Sequence, residues 1–413
     1  MIEAAAQQAV RPRGKFRARG SGRGDPGAIG RWFFDIDRAL LLLALLLMAI
    51  GLLAVAAASP ASALRYSVDR THIAPLYYFW RQVGWVTISV PLMIGVSMAP
   101  VGLARRAALI GAAVFFACLV LTPLIGVQVN GARRWLGGGF AQFQPSEFLK
   151  PCYIVAMAWL ISLRDKEPDL PVITMSFIAT GTIACLLMLQ PDFGQTVMFA
   201  LVWLAMLMIA GVPFRTLGLF VGGAPAGLIA AYLFYDTARI RIDAFIAQLT
   251  QPRGAADPAG GNYQTGKAYE TLTAGGIGGT GPGGGTMKFH LPEAHTDYIF
   301  SVIGEEFGLI ACGVIALLFF ALVARVFVRL LDESCSFRLL AAGGLATQFG
   351  VQALISMTVN IGLAPSKGMT LPFISYGGSS MIALSFGMGM LLAFTRRNPF
   401  LTRSPYVVRW GER

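Results

Sequence analysis

Ten runs of about 20 apolar residues, nearly free of charge, follow one another along this 413-residue chain, and nothing else restricts its folding so severely. A helix of that length spans the hydrocarbon core of a bilayer, at about 1.5 Å per residue. Within lipid every backbone N–H and C=O must find a partner in the protein, which leaves helices or a closed barrel. The runs do not alternate apolar with polar residues, so barrel strands are excluded. They fall at roughly 39–59, 77–98, 107–126, 148–163, 171–189, 194–211, 214–235, 298–324, 339–362 and 372–395. Only 13% of residues are charged, against about 25% in a soluble domain, which excludes an ordinary soluble enzyme.

The predicted fold is therefore an all-α polytopic membrane protein with about ten transmembrane helices. A disordered basic tail at 1–38 precedes the transmembrane domain at 39–395, and a second basic tail follows at 396–413. An even number of crossings returns both ends to one side. Twenty-one of the 33 Lys and Arg residues lie in the tails and the loops on that side, so the positive-inside bias makes both termini cytoplasmic. The first apolar run reads as an uncleaved signal-anchor. The net charge of +12 is a membrane property, because no basic run is interleaved with aromatics to stack nucleic-acid bases.

The opposite, extracytoplasmic face receives 60–76, 127–147, 190–192, 363–371 and one long loop, 236–297, between the seventh and eighth helices. Residues 254–285 of that loop hold twelve Gly. Gly276, Gly278 and Gly281 satisfy G-x-G-x-x-G, yet no strand precedes them, so a dinucleotide site is rejected in favour of a flexible loop that closely approaches a bulky ligand or partner. Five Cys, none in an outer loop, suggest core packing rather than disulfides. His72, His290 and His295 lack the spacing of a zinc site, and neither a P-loop nor G-x-S-x-G occurs.

Ionisable residues at the membrane lip are costly and so become functional candidates. Asp297, in Leu291-Pro-Glu-Ala-His-Thr-Asp-Tyr-Ile-Phe300, stands where the long loop meets the eighth helix. Thr296 or Asp297 is placed to cap that helix, a purely structural role that competes with chemistry. Glu305 and Glu306 lie about 12 Å deeper and require partners, with pairing to a neighbouring helix at least as favoured as catalysis. A second cluster, Asn130-Gly-Ala-Arg-Arg-Trp135 with Phe143-Gln-Pro-Ser-Glu-Phe-Leu-Lys150, places Arg133, Arg134 and Lys150 on the outer face, against the positive-inside trend. Such cations can bind an anionic headgroup or simply anchor the helices. Pro145 and Ser146 mark a helix start, and Glu147 and Lys150 form an i, i+3 pair. Lys367, in the third outer segment, 364–380, belongs to the same face. The glycines there, and the G-x-x-x-G step Gly304–Gly308, suit close helix packing.

Together the Asn130–Trp135 and Phe143–Glu147 segments, Gln190-Pro-Asp-Phe-Gly-Gln195, Leu291–Phe300 with Gly304-Glu-Glu, and Pro372-Phe-Ile-Ser-Tyr-Gly-Gly-Ser-Ser380 resemble the SEDS family of bacterial peptidoglycan glycosyltransferases. The resemblance runs from about residue 39 to 400. Pro365-Ser-Lys-Gly-Met-Thr370 and Ile303–Glu306 resemble its division (FtsW-like) branch more than its elongation (RodA-like) branch. It implies ten helices in the bacterial inner membrane at the division septum, with lipid II as substrate. The implied partners are an FtsI-like class B penicillin-binding transpeptidase and other divisome membrane proteins. It also carries the family's essential Asp onto Asp297, as the general base that takes the proton of the acceptor sugar's 4-hydroxyl as undecaprenyl pyrophosphate leaves with inversion. Arg133, Arg134, Lys150 and Lys367 are then the candidates to stabilise the pyrophosphate, Glu147 to orient a base or hold a divalent cation (Mg or Mn), and His295, Thr296, Glu305 and Glu306 to support the site. No oxygen-ligand cluster can be read from spacing alone. The competing expectations are a RodA-type elongation polymerase, a lipid II flippase, which would place ionisable groups or broken helices near mid-membrane on paired repeats, and a scaffold for which Asp297 is dispensable.

Overall fold

The computed structural model describes residues 28–67, 72–129, 132–138, 142–234, 263–365 and 368–396, with isolated positions between 239 and 246. The chain divides into two compact units, Asp37–Arg396 and one made of the two chain ends, Met1–Ile36 and Arg397–Arg413. In the latter, the short helix α1 (Ala28–Asp35) occupies part of the predicted basic tail and exposes Ile29, Phe33 and Phe34. Residues 1–27 and 397–413 of the two tails lie outside the described residues.

In the larger unit each apolar run forms a helix over most of its length, and the tenth departs most, its helix starting at Gly378 rather than at 372. These helices are α2 (Arg38–Tyr66), α3 (Tyr77–Met98), α4 (Val101–Ile125), α5 (Pro145–Ser162), α6 (Val172–Leu189), α7 (Phe193–Ile209) and α8 (Phe214–Phe234). After the long loop come α10 (Ile299–Leu330), α11 (Ser336–Asn360) and α12 (Gly378–Phe394). Among the described residues, α2, α4, α5, α6, α10 and α11 are long and apolar enough to cross a membrane, and α7 and α12 are shorter apolar helices. The central and peripheral helices differ in burial. The most apolar windows of α5 and α11 are 67% buried, against 17% for α4, whose Leu103, Ile110 and Leu124 face outward. α5, α11 and α12 therefore form the packed centre, and the large apolar side chains outside them suit lipid.

Polar contacts between helix ends fix the alternating direction of the helices. At one end Asp37 caps α2 through Oδ1 (3.0 Å to the N–H of Ala39) and pairs through Oδ2 with Arg325 (3.0 Å) and Arg329 (2.6 Å) near the end of α10. Arg396 donates to the carbonyls of Met98 and Ala99 there, and Ser336 to Asp165. At the other end Ser62 meets His295, and Gln82 donates to the carbonyl of Ser375. That second end carries Asp297.

Three local features depart from the expectations. The fold is not wholly α: in the outer segment after α4, strands β1 (Val127–Val129) and β2 (Ala132–Trp135) pair antiparallel. The long loop contains a further helix, α9 (Tyr263–Ala274). Its glycine-rich stretch is no free flap in its described part, because it packs into a break in α10. Gly308, at φ +81, interrupts α10, and the carbonyls of Gly276 and Ile277 accept from the N–H groups of Leu309 (3.1 Å) and Ile310 (3.4 Å). The freed carbonyls of Glu305 and Glu306 accept from the N–H groups of Thr280 and Gly281. A Cβ on Gly279 would stand 2.3 Å from the Glu306 carbonyl, so the glycines serve backbone contact with α10. The Gly304–Gly308 step likewise packs against the loop rather than another membrane helix: a Cβ on Gly304 would strike Leu272, and one on Gly308 the loop backbone.

Candidate functional site

The turn that leads into α10 holds Asp297 just ahead of the helix. Tyr298 is the N-cap residue and makes no side-chain cap bond, so the N-cap position falls one residue after Asp297 rather than on Thr296 or Asp297 as expected. Thr296 instead donates to the Glu293 carboxylate (2.8 Å). The cap comes from α11: Asn360 Oδ1 accepts from the N–H (3.1 Å) and hydroxyl (2.8 Å) of Ser301, while its Nδ2 donates to the carbonyl of Asp297 (3.1 Å). Asp297 is half-buried, and its Oδ2 lies 3.5 Å from where a Cβ on Gly368 would stand, so the carboxylate borders the loop that precedes α12. Lys367 lies outside the described residues.

His295 anchors the same turn from beneath. Its Nδ1 lies 2.8 Å from Ser62 Oγ, its ring centroid is 4.3 Å from that of Tyr78 and 5.2 Å from that of Tyr376, and its carbonyl accepts from the N–H of Tyr376 (2.9 Å). Burial pulls its pKa down to about 4, with the Glu293 carboxylate acting weakly the other way, so the imidazole is neutral at pH 7. Glu293 occupies the left-handed region (φ +51) and accepts from the hydroxyl of Tyr66 (2.7 Å). A strained non-glycine residue held at both ends is a mark of a turn fixed by its surroundings.

Glu305 and Glu306 are fully buried, and their partners are on the loop rather than on a neighbouring membrane helix as expected. Glu305 accepts from the N–H groups of Met287 (2.7 Å) and Lys288 (3.0 Å). Glu306 pairs with the ammonium of Lys288 and accepts from the N–H of Gly283 (3.1 Å). Lys288 also donates to the carbonyl of Ala57 on α2 (3.0 Å). The Glu306 carboxylate is thus paired with an ammonium and the Glu305 carboxylate is met by two backbone N–H groups, which is how low-dielectric surroundings tolerate them.

The Glu147–Lys150 pair forms as its spacing predicts, at 2.7 Å, but inside the bundle rather than open on its outer face. Glu147 also accepts from Gln195 (2.8 Å) and Ser380 (3.3 Å), and Lys150 donates to Gln352 (3.3 Å). Gln352 in turn donates to the carbonyl of Thr370 (3.0 Å), which ties this knot to the loop that borders Asp297. Arg134 holds the turn between α6 and α7 through the carbonyls of Gln190 and Pro191 and stands 4.0 Å from Asp192. Burial raises the pKa of Asp192, opposed by Arg134 and by the N–H of Gln195. Arg133 is exposed and makes only a long bond to the carbonyl of Pro123 (3.4 Å).

The candidate residues therefore sort into three places. Asp297, His295 and Thr296 share one turn; Glu147 and Lys150 form a knot that Arg134 approaches through Asp192 and Gln195; Glu305 and Glu306 bind the glycine-rich loop. Asn360, Lys288, Gln352 and Ser380 were not foreseen. A signal existed only for Lys288, a lone cation in an otherwise neutral stretch. Among the described residues no group of three or more His, Cys, Asp or Glu side chains could hold a metal ion.

The FtsW/RodA/SpoVE family model, described as "Cell cycle protein", matches residues 37–399. A Caulobacter vibrioides protein named "Probable peptidoglycan glycosyltransferase FtsW" is 38% identical over 377 residues, which cover 91% of this chain and 93% of the relative. A Coxiella burnetii protein of the same name is 33% identical, covering 80% of this chain and 90% of the relative. Among solved structures, a chain described under "Structural coordination of polymerization and crosslinking by a peptidoglycan synthase complex" superposes with a TM-score of 0.68 at 25% identity, covering 87% of this chain and 97% of that one. The rod shape determining protein RodA of Thermus thermophilus superposes with a TM-score of 0.61 at 25% identity, covering 87% of this chain and 96% of that one.

Proposed function

This chain belongs to the FtsW/RodA/SpoVE family of cell cycle proteins, and on that premise we propose that it is a multi-pass membrane enzyme, a septal peptidoglycan glycosyltransferase that polymerises lipid II. The observation that carries the catalytic assignment is the Asp297 carboxylate, held at the mouth of the bundle by its backbone, one residue ahead of the N-cap of α10. In this role Asp297 takes the proton of the acceptor 4-hydroxyl as that oxygen attacks the anomeric carbon of the donor. The bond to undecaprenyl pyrophosphate breaks on the opposite side, inverting the centre. Exposed Arg133 and Lys367, the latter outside the described residues, are the cations proposed to meet the departing phosphates. Arg134, Glu147 and Lys150 act one layer behind, fixing the turn and the loop on which those groups stand. A divalent cation has a place in this scheme only as a counter-charge to the pyrophosphate. The end that carries Asp297 faces away from the cytoplasm, and a single-pass transpeptidase is the partner at the septum.

One observation favours transport instead: α10 is broken, with ionisable groups beside the break. Those groups are, however, held by the loop, Glu306 by the Lys288 ammonium and Glu305 by backbone N–H groups, and no paired repeat in the sequence accompanies the break. The test is polymerisation of fluorescent lipid II by the purified protein with its transpeptidase. Glycan chains from the wild type and none from a folded Asp297→Ala variant support the polymerase. Equal product from the variant overturns the assignment of Asp297, and translocation without polymer from the wild type overturns the enzyme.

A further inference from the structure

Asn360 ends α11 fully buried, and each of its four hydrogen-bonding positions is used. Oδ1 accepts from the N–H and the hydroxyl of Ser301, and Nδ2 donates to the carbonyls of Asp297 (3.1 Å) and Ser356 (2.8 Å). The orientation of the amide is determined: turned over, it would set NH2 against an N–H and oxygen against two carbonyls.

An α-helix leaves its first N–H groups without partners, and a carboxylate next to the helix start is the ordinary way to satisfy them. Ser301 is the third residue of α10, the position that a capping side chain would serve. Asn360 serves it from a different helix, 59 residues along the chain. The same amide grips the main chain of Asp297, and so fixes the direction in which that side chain leaves the backbone.

We propose that Asn360 is a positioning residue for glycosyl transfer: it caps α10 in place of Asp297 and holds the Asp297 carbonyl, so the carboxylate stays turned toward the reacting hydroxyl. This rests on Asp297 being the base. Without Asn360 the Ser301 N–H keeps only its 3.1 Å bond to the Tyr298 carbonyl, while the Ser301 hydroxyl and the Asp297 carbonyl lose their partner, so the turn that carries the Asp297 carboxylate is no longer held in one orientation. Substrate binding sites remain, so the defect belongs to the chemical step.

The experiment compares kcat, KM and the unfolding midpoint of the full chain with its transpeptidase on fluorescent lipid II, for wild type, Asn360→Ala and Asn360→Asp. Asp37→Ala serves as a destabilised control from the opposite end of the bundle. Asn360→Ala should lower kcat by about 10- to 100-fold, the scale of a misplaced general base, with KM within about threefold. Asn360→Asp keeps the acceptor for Ser301 and loses the donor to Asp297. It should lower kcat by a smaller factor, about three- to tenfold, and it carries the test if the Ala variant does not fold. A kcat loss in the Asn360 variants no greater than that of Asp37→Ala, or a rise in KM at constant kcat, overturns the proposal. Absence of polymer from the wild type overturns the enzymatic reading itself and is seen before any variant is compared.

Discussion

Asp37 and Asp297 stand at opposite ends of the bundle, each just ahead of a long apolar helix, and they are used in opposite ways. Asp37 is the N-cap of α2: one carboxylate oxygen accepts from the N–H groups of Ala39 and Leu40, and the other lies against Arg325 and Arg329. Asp297 lies one residue ahead of its N-cap, its helix is capped by Asn360, and its oxygen borders a loop. Both fit a helix-start pattern. In one place the carboxylate itself meets the helix start, and in the other an amide from a distant helix does so.

Making the same substitution at both ends is the sharpest way to break this comparison. Asp297→Asn keeps the shape and removes the basicity, and it should reduce glycan synthesis by at least about 100-fold with little change in the unfolding midpoint. A variant that retains more than a tenth of the rate would place Asp297 alongside Asp37 as a structural residue. A second contrast comes from acid. His295 titrates near 6.5 when unfolded but resists protonation down to about 4 when folded, so the unfolded chain takes up the extra proton between those values. Stability contributed by the turn is therefore complete above about pH 6.5 and falls as pH drops toward 4, by on the order of 3 kcal/mol. Urea titration at pH 7 and pH 4.5 should reveal the loss, and His295→Gln should flatten it; an unchanged slope would remove the buried neutral ring from the account.

At the other end, Asp37→Asn keeps an acceptor for the α2 cap while losing the charge that faces two partly exposed arginines. It should cost about 1 kcal/mol, measured by thermal unfolding, and leave polymerisation per folded molecule unchanged. The smallest effect belongs to Thr296→Val, which removes the bond to the Glu293 carboxylate; with no cap at stake, the loss should stay within about 1 kcal/mol. A loss of about 2 kcal/mol would mean that Thr296 caps α10 after all.

The difference between the two aspartates also explains what could be read from the amino acids alone. The apolar runs determine the helices, because lipid permits nothing else, and α3 begins and ends where its run does. The Glu147–Lys150 pair was legible because three residues along a helix bring the side chains together; its burial was not, since that depends on Gln195, Gln352 and Ser380 from three other places in the chain. Asp297 was visible through its motif, whereas Asn360, whose amide bonds to Ser301 and to the Asp297 carbonyl, is an ordinary residue at the end of an apolar run. Gly308 was misjudged for the same reason. Its spacing from Gly304 suggested contact between membrane helices, and only the return of residues 275–281 shows that it is needed for a break.

That break divides α10 into two unlike stretches. The stretch after it, from Leu309 to Leu330, is apolar enough to enter the bilayer as it emerges from the insertion machinery, but the stretch before it, from Ile299 to Phe307, carries two carboxylates. Among the described residues these, with the N–H groups of Leu309 and Ile310, find their partners on residues 276–288. Each such group left bare in hydrocarbon costs several kcal/mol. The glycine-rich segment is therefore part of the polar lining of α10 itself: without it, two carboxylates and two N–H groups of that helix lose the partners they have in the folded chain.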